Sequence, residues 1–156
     1  MKKERKISNI VSFILGNASF FLLSRFIYSN RSIDEKDKKY CQLFDNWLIL
    51  NERGSRIEEY FRARGIKEVA VYGYSNIGSH LVTQLVRTDI KIKYIIDKRN
   101  VITEYGIDRY SLRDKVPEVE AVIVTPICEY QTIKKEVSDK VSCKVISIED
   151  IIYGLL

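Results

Sequence analysis

From residue 66 onward, short apolar runs alternate with segments in which apolar residues recur at helical spacing. The apolar runs predict five strands, over residues 68–73, 90–97, 106–111, 120–126 and 143–148. The first and fourth runs are continuous and rich in β-branched residues, which is typical of strands covered on both faces. Segments with apolar residues at helical spacing follow the first, fourth and fifth runs. This alternation predicts a single doubly wound α/β domain whose five parallel strands lie in the order 3-2-1-4-5.

Two helices are predicted before the sheet. The first has a stripe of apolar residues at helical spacing: Tyr40, Leu43, Phe44, Trp47 and Leu48. Ser55 and Glu58 have the spacing of a capping box, which predicts a second helix through Arg64 that Gly65 ends. At the carboxyl end of the chain, Ser147 is predicted to cap a closing helix.

The segment before these helices carries the whole net charge. Residues 1–39 hold nine lysines and arginines against four acidic residues, which accounts for the formal net charge of +5. Because residues 40–156 are then neutral overall, nucleic acid is not a predicted partner. Within the segment, residues 7–24 are uncharged, and residues 29–39 have the composition of a linker. Residues 7–28 are predicted either to lie on a membrane surface or to pack on protein. The chain is thus divided into an N-terminal segment, 1–39, and a domain, 40–156.

Cysteine and histidine usage excludes several kinds of chemistry. The three cysteines, Cys41, Cys128 and Cys143, are scattered and have no metal-ligand spacing, which favours a reducing cytosol and predicts no metal site. His80 is the single histidine, and we interpret it as a helix-surface residue. Tyr130 and Lys134 have the Tyr-x-x-x-Lys spacing of sugar-nucleotide epimerases, but about one such hit is expected by chance, so no catalytic residue is predicted.

The turn after the first predicted strand carries the candidate binding chemistry. Gly73, Ser75 and Gly78 form the pattern G-x-S-x-x-G between a strand and a helix. In a dinucleotide-binding turn, glycines allow a tight bend and close packing of helix on strand, while the helix amino terminus accepts phosphate. Ser75 stands where the middle glycine is usual. The predicted phosphate site comprises Gly73, Tyr74, Ser75, Asn76, Ile77 and Gly78.

Three further residues extend this site along the sheet edge. Asp97 ends the second predicted strand 24 positions after Gly73, where an acidic residue accepts ribose hydroxyls. Lys98 and Arg99 follow it, and we interpret them either as favouring an extra phosphate on the ligand or as solvated side chains. Thr125 lies at the end of the fourth strand, where it could donate a hydrogen bond to a ligand.

Residues 40–156 resemble a family of small Rossmann-type proteins of bacterial capsular and exopolysaccharide biosynthesis, which are often labelled nucleoside-diphosphate-sugar epimerase-like. The resemblance lies in the run from Lys39 to Gly78, in IKYIIDKR and EVEAVIVTPI, and in the ending VISIEDIIYGL. It implies an NAD(P)-binding type of fold, with NAD(P) or a nucleotide sugar as ligand and a glycosyltransferase or other capsule-synthesis protein as partner. Gly73, Gly78 and Asp97 match the nucleotide-site positions.

Three functions follow as hypotheses. The first is a nucleotide- or nucleotide-sugar-binding module of capsular polysaccharide synthesis, not catalytic by itself and located in the cytoplasm. The second is an NAD(P)-dependent epimerase or dehydrogenase that a partner subunit completes. The third is a scaffold without a ligand, since a fold alone does not define a function. Assembly into a homo-oligomer stays open.

Overall fold

The computed structural model describes residues 33–103 and 105–156. The chain divides into two units after Lys39, and the second unit is Tyr40–Leu156. Residues 7–28, which were predicted to contact a membrane or protein, lie outside the described residues. Residues 33–39, which fall within the predicted linker, are helical. Across the described residues, no helix combines the length and the apolar character that crossing a bilayer requires.

The second unit contains the predicted sheet. Its strands are β1 (Glu68–Tyr72), β2 (Lys91–Ile96), β3 (Arg109–Tyr110), β4 (Ala121–Val124) and β5 (Lys144–Ser147). All neighbouring strands are parallel, and the order β3-β2-β1-β4-β5 confirms the predicted topology. The third strand is shorter than the predicted residues 106–111, because it pairs only with the last two residues of β2 at the edge of the sheet.

Helices cover both faces of the sheet. They are α1 (described over residues 33–52), α2 (Ile57–Arg62), α3 (Asn76–Leu85), α4 (Tyr130–Ser138, after a 3-10 turn over Ile127–Glu129) and α5 (Ile148–Tyr153). Alternate residues of a strand point to opposite faces, so β1 contributes Val69 and Val71 to one core and Ala70 and Tyr72 to the other. The first core packs against α1, α2, α3 and α5, and the second packs against α4.

The two predicted helix caps have different outcomes. At α5 the prediction is confirmed, since the Ser147 hydroxyl accepts a hydrogen bond from the Glu149 amide at 3.2 Å. At α2 the predicted capping box is wrong: the N-cap is Arg56, and its side chain makes no capping bond. The Ser55 amide donates to the Leu50 carbonyl, so Ser55 belongs to the turn that ends α1. The spacing of Ser55 and Glu58 could not reveal that competing bond.

One buried polar group of the second core has no hydrogen-bond partner among the described residues. The side chain of Tyr94 on β2 is fully buried, its hydroxyl is unpaired, and its ring meets the ring of Tyr110 edge to face at 5.3 Å. Burial raises the pKa of Tyr94 to about 12. A buried hydroxyl without a partner costs free energy, since water no longer solvates it.

Tyr94→Phe is therefore expected to leave the free energy of unfolding unchanged or to raise it by up to about 1 kcal/mol. Tyr130→Phe is the matched control, because the Tyr130 hydroxyl donates to the Val145 carbonyl at 3.0 Å. The Tyr130→Phe variant is expected to have a free energy of unfolding about 1 kcal/mol lower than the wild type. Urea denaturation of the two variants beside the wild type measures both values. If Tyr94→Phe lowers the free energy of unfolding as much as Tyr130→Phe does, then the Tyr94 hydroxyl is hydrogen-bonded in solution.

Candidate functional site

A strand, a tight turn and a helix meet at the carboxyl edge of the sheet. β1 ends at Tyr72, Gly73 has a φ of +91°, and α3 begins at Asn76. A side chain at Gly73 would be strained by this φ, and its Cβ would lie 2.8 Å from the Thr125 Oγ1. A Cβ at Gly78 would overlap the Gly73 carbonyl oxygen. Both glycines therefore allow the first turn of α3 to pack directly on the end of β1, as the sequence pattern predicted.

Thr125 holds this turn from the neighbouring strand. Thr125 is 1% exposed, and its hydroxyl oxygen lies 2.9 Å from the Gly73 carbonyl oxygen and 3.1 Å from the Tyr72 carbonyl oxygen. A hydroxyl has a single hydrogen to donate, and both of these acceptors belong to the protein. Thr125 thus joins β1 to β4 at the point where the chain connections diverge to the two sides. We predicted it as a ligand donor, and in this arrangement its hydroxyl hydrogen is directed to the turn.

The amino terminus of α3 faces solvent without a side-chain cap. Its N-cap is Ser75, whose side chain makes no capping bond, and both Ser75 and Asn76 are exposed. The first turn contains no acidic residue. The first amides of a helix have no partner within the helix, and the helix dipole places partial positive charge there. This end of α3 can accept an anion. Ile77 is buried, so it can contribute only its backbone amide.

Asp97 connects the turn to the end of β2. Its side chain is 7% exposed. One carboxylate oxygen, Oδ2, accepts from the Tyr74 amide at 2.7 Å, and the other, Oδ1, accepts from the Arg99 amide at 2.8 Å. The Arg99 guanidinium completes the set, with Nε 3.2 Å from Oδ1 and Nη2 3.3 Å from Oδ2. Asp97, which was predicted to accept ribose hydroxyls, is thus bonded to the turn between β1 and α3.

The electrostatics of Asp97 follow from these contacts. Burial opposes ionisation, but the Arg99 side chain and the amides of Tyr74 and Arg99 outweigh it and lower the pKa of Asp97. The carboxylate is therefore charged at neutral pH. The pKa of Arg99 is raised by its hydrogen bond to Asp97.

Two arginines belong to this site, of which Arg99 was considered beside Lys98 from the sequence and Arg109 was missed. Besides bonding Asp97, Arg99 donates from Nη2 to the Tyr74 carbonyl at 3.1 Å. Arg109 on β3 donates from Nη1 to the carbonyls of Asp97 and Arg99 at 3.0 and 3.2 Å. Lys98, which was predicted, is exposed beside them. The run Asp-Lys-Arg at a strand end was the available signal for Arg99, whereas Arg109 had none because its role depends on strand pairing.

The residues considered for catalysis lie apart from this turn or are used elsewhere. His80 is exposed on α3, where its ring meets that of Phe44 at 6.1 Å. The Tyr130 hydroxyl donates to a β5 carbonyl, and the Lys134 Nζ lies 5.6 Å from the Tyr130 ring centre. Among the described residues, no group of three or more histidine, cysteine or acidic side chains could hold a metal ion.

The sheet order and the glycine turn define the class of fold: residues 40–156 form a Rossmann-like α/β domain. Comparison of the chain with protein-family models, curated proteins and solved structures gives no match.

Proposed function

We propose that residues 40–156 are a nucleotide-binding module that holds the phosphates of its ligand over residues 73–78. The observation that carries this proposal is the uncapped, exposed amino terminus of α3, packed by Gly73 and Gly78 against the end of β1. In open α/β sheets, ligands bind outside the carboxyl ends of the strands where the connections diverge, which here is between β1 and β4.

The ligand classes to test are NAD(P) and nucleotide sugars, and the biological setting is capsular polysaccharide synthesis beside a glycosyltransferase. These finer proposals rest on the sequence resemblance. We further propose that the module alone is not catalytic, because the Tyr130 hydroxyl, which an epimerase would need as its acid or base, donates to the Val145 carbonyl. Attachment of residues 7–28 to a membrane surface stays a prediction from charge and apolar length.

A scaffold without a ligand is the second candidate, and one observation favours it. Asp97 and Thr125, two of the predicted ligand residues, make their hydrogen bonds within the protein. Such bonds hold the turn in place whether or not a nucleotide arrives.

A thermal-shift panel of NAD, NADP, UDP-glucose and coenzyme A on the full chain distinguishes the two candidates. A bound nucleotide present at about 100 times its dissociation constant is expected to add about 2.7 kcal/mol to the free energy of unfolding. Ser75→Asp locates the site: the new carboxylate caps α3 and repels phosphate, so the variant is expected to fold normally and to bind at least about ten-fold more weakly.

Ser75→Asn is the matched control, because it supplies a similar cap of the same size without the charge. It is expected to bind more tightly than Ser75→Asp. Equal binding by the two variants would place the ligand away from the turn. No stabilisation of the folded wild-type chain by any of the four compounds would favour the scaffold.

A further inference from the structure

The carboxylate at the end of β2 has no acceptor site left for a ribose. Asp97 Oδ1 accepts from the amide and Nε of Arg99, and Oδ2 accepts from the Tyr74 amide and Nη2 of Arg99. Two oxygens offer about four lone-pair positions, so these four bonds fill them. An unmodified ribose that bound here in the usual way would have to displace the Arg99 guanidinium from a 7% exposed carboxylate.

The same contacts place cationic groups beside Asp97. The Arg99 side chain is 65% exposed, and its bonds to Asp97 and Tyr74 use Nε and Nη2. The third guanidinium nitrogen, Nη1, takes part in none of those bonds. Lys98 is exposed next to Arg99 in the chain, and Arg109 bonds the backbone of both Asp97 and Arg99. One carboxylate thus bonds a single guanidinium, while Arg109 bonds the adjacent backbone and Lys98 is its exposed neighbour in sequence, which leaves positive charge at the edge of the crevice.

We propose that this crevice takes a nucleotide whose ribose carries a phosphomonoester, and that Arg99 is the residue that selects the phosphate over a free hydroxyl. The inference rests on the proposed nucleotide-binding function and names its ligand class. A phosphate can accept charge-assisted hydrogen bonds from the exposed guanidinium while Arg99 stays on Asp97. A hydroxyl carries no charge, so the bond that it accepts from the guanidinium is weaker, and it finds no free acceptor on Asp97 for its own hydrogen. A nearby arginine is the group that suits a ribose phosphate in this kind of fold.

Two sources of this chemistry exist, a 2′-phosphate as in NADP and a 3′-phosphate as in coenzyme A. Calorimetric titration of the full chain with two matched pairs separates them: 2′-phospho-ADP-ribose against ADP-ribose, and coenzyme A against dephospho-coenzyme A. In at least one pair, the phosphorylated member is expected to bind roughly ten-fold to a hundred-fold more tightly, as for hydrogen bonds to charged groups. The pair that shows the preference identifies the position of the phosphate.

Arg99→Gln tests the assigned residue. The variant removes the cation and frees an acceptor site on Asp97, so the preference is expected to disappear while ADP-ribose binds as well as before or more tightly. Arg87→Gln is the control, since Arg87 is exposed beyond the carboxyl end of α3. It is expected to keep the preference.

The outcomes distinguish failure of this inference from failure of the proposed nucleotide-binding function. Equal affinity within both pairs, or a preference that survives in Arg99→Gln, overturns the inference and leaves nucleotide binding standing. Failure of all four compounds to bind, together with failure of NAD and UDP-glucose, overturns both. Binding of UDP-glucose or NAD alone overturns the inference only.

Discussion

Gly78→Ala is expected to lower the free energy of unfolding by about 3 kcal/mol or more, as overpacking against rigid backbone does. Alanine is the better helix former, by about 1 kcal/mol, so helix propensity alone would favour the variant. The new methyl group, however, would overlap the Gly73 carbonyl oxygen, which belongs to the backbone and cannot rotate away. To relieve the clash, α3 must move off the end of β1, and the buried contacts of Leu81 and Val82 would loosen with it.

Ser79→Ala is the matched control on the same helix. The Ser79 hydroxyl donates to the exposed Asn76 carbonyl, and its loss is expected to change the free energy of unfolding by no more than about 0.5 kcal/mol. Chemical denaturation of the two variants measures the difference. If Gly78→Ala is as stable as Ser79→Ala, then α3 does not pack on the turn as closely as described, and the proposed phosphate site loses its geometric basis.

Asp97→Ala is expected to lower the free energy of unfolding by about 3 kcal/mol, since removing a buried carboxylate leaves the amides of Tyr74 and Arg99 without acceptors. The Tyr74 amide would lose the acceptor that holds the turn between β1 and α3 to the end of β2, and the Arg99 guanidinium would lose both oxygens. Asp89→Asn is the control. Asp89 also bonds an arginine, Arg62, at 2.6 Å, but this pair is on the surface, where water replaces the lost contact. We therefore expect Asp89→Asn to lower the free energy of unfolding by less than Asp97→Ala does.

The pH dependence of stability provides a second measurement of the same contacts. Because the folded-state pKa of Asp97 lies below its ordinary value of 3.8, the unfolded chain binds the proton more readily. The stabilisation is therefore fully present above that ordinary value and is lost as the pH falls through the lowered one. Asp97→Asn, which cannot ionise, is expected to show a shallower loss of stability in acid than the wild type. Parallel acid profiles of the two proteins would contradict the assigned hydrogen bonds.

The sequence by itself determined the architecture of residues 40–156. The continuous apolar runs at β1 and β4 indicate strands buried on both faces, and helical spacing between strands leaves few connections other than right-handed crossovers. The order 3-2-1-4-5 was predicted because the glycine turn after the first strand resembles that of dinucleotide-binding folds, in which this order is common. The roles of Gly73 and Gly78 were also readable, because a glycine pair between a strand and a helix has few other physical causes.

Tertiary structure alone decided which side chains hold the site together. Thr125 bonds residues more than fifty positions away, and Arg109 reaches Asp97 only because β3 pairs with the end of β2. Residue type and periodicity report burial and local geometry, but they do not specify which distant donor fills a given acceptor. Asp97 was predicted, at the end of β2, to offer its carboxylate to ribose hydroxyls. The fold fills that carboxylate with Arg99, because the chain after β2 turns back and brings the guanidinium over the acid that precedes it by two residues.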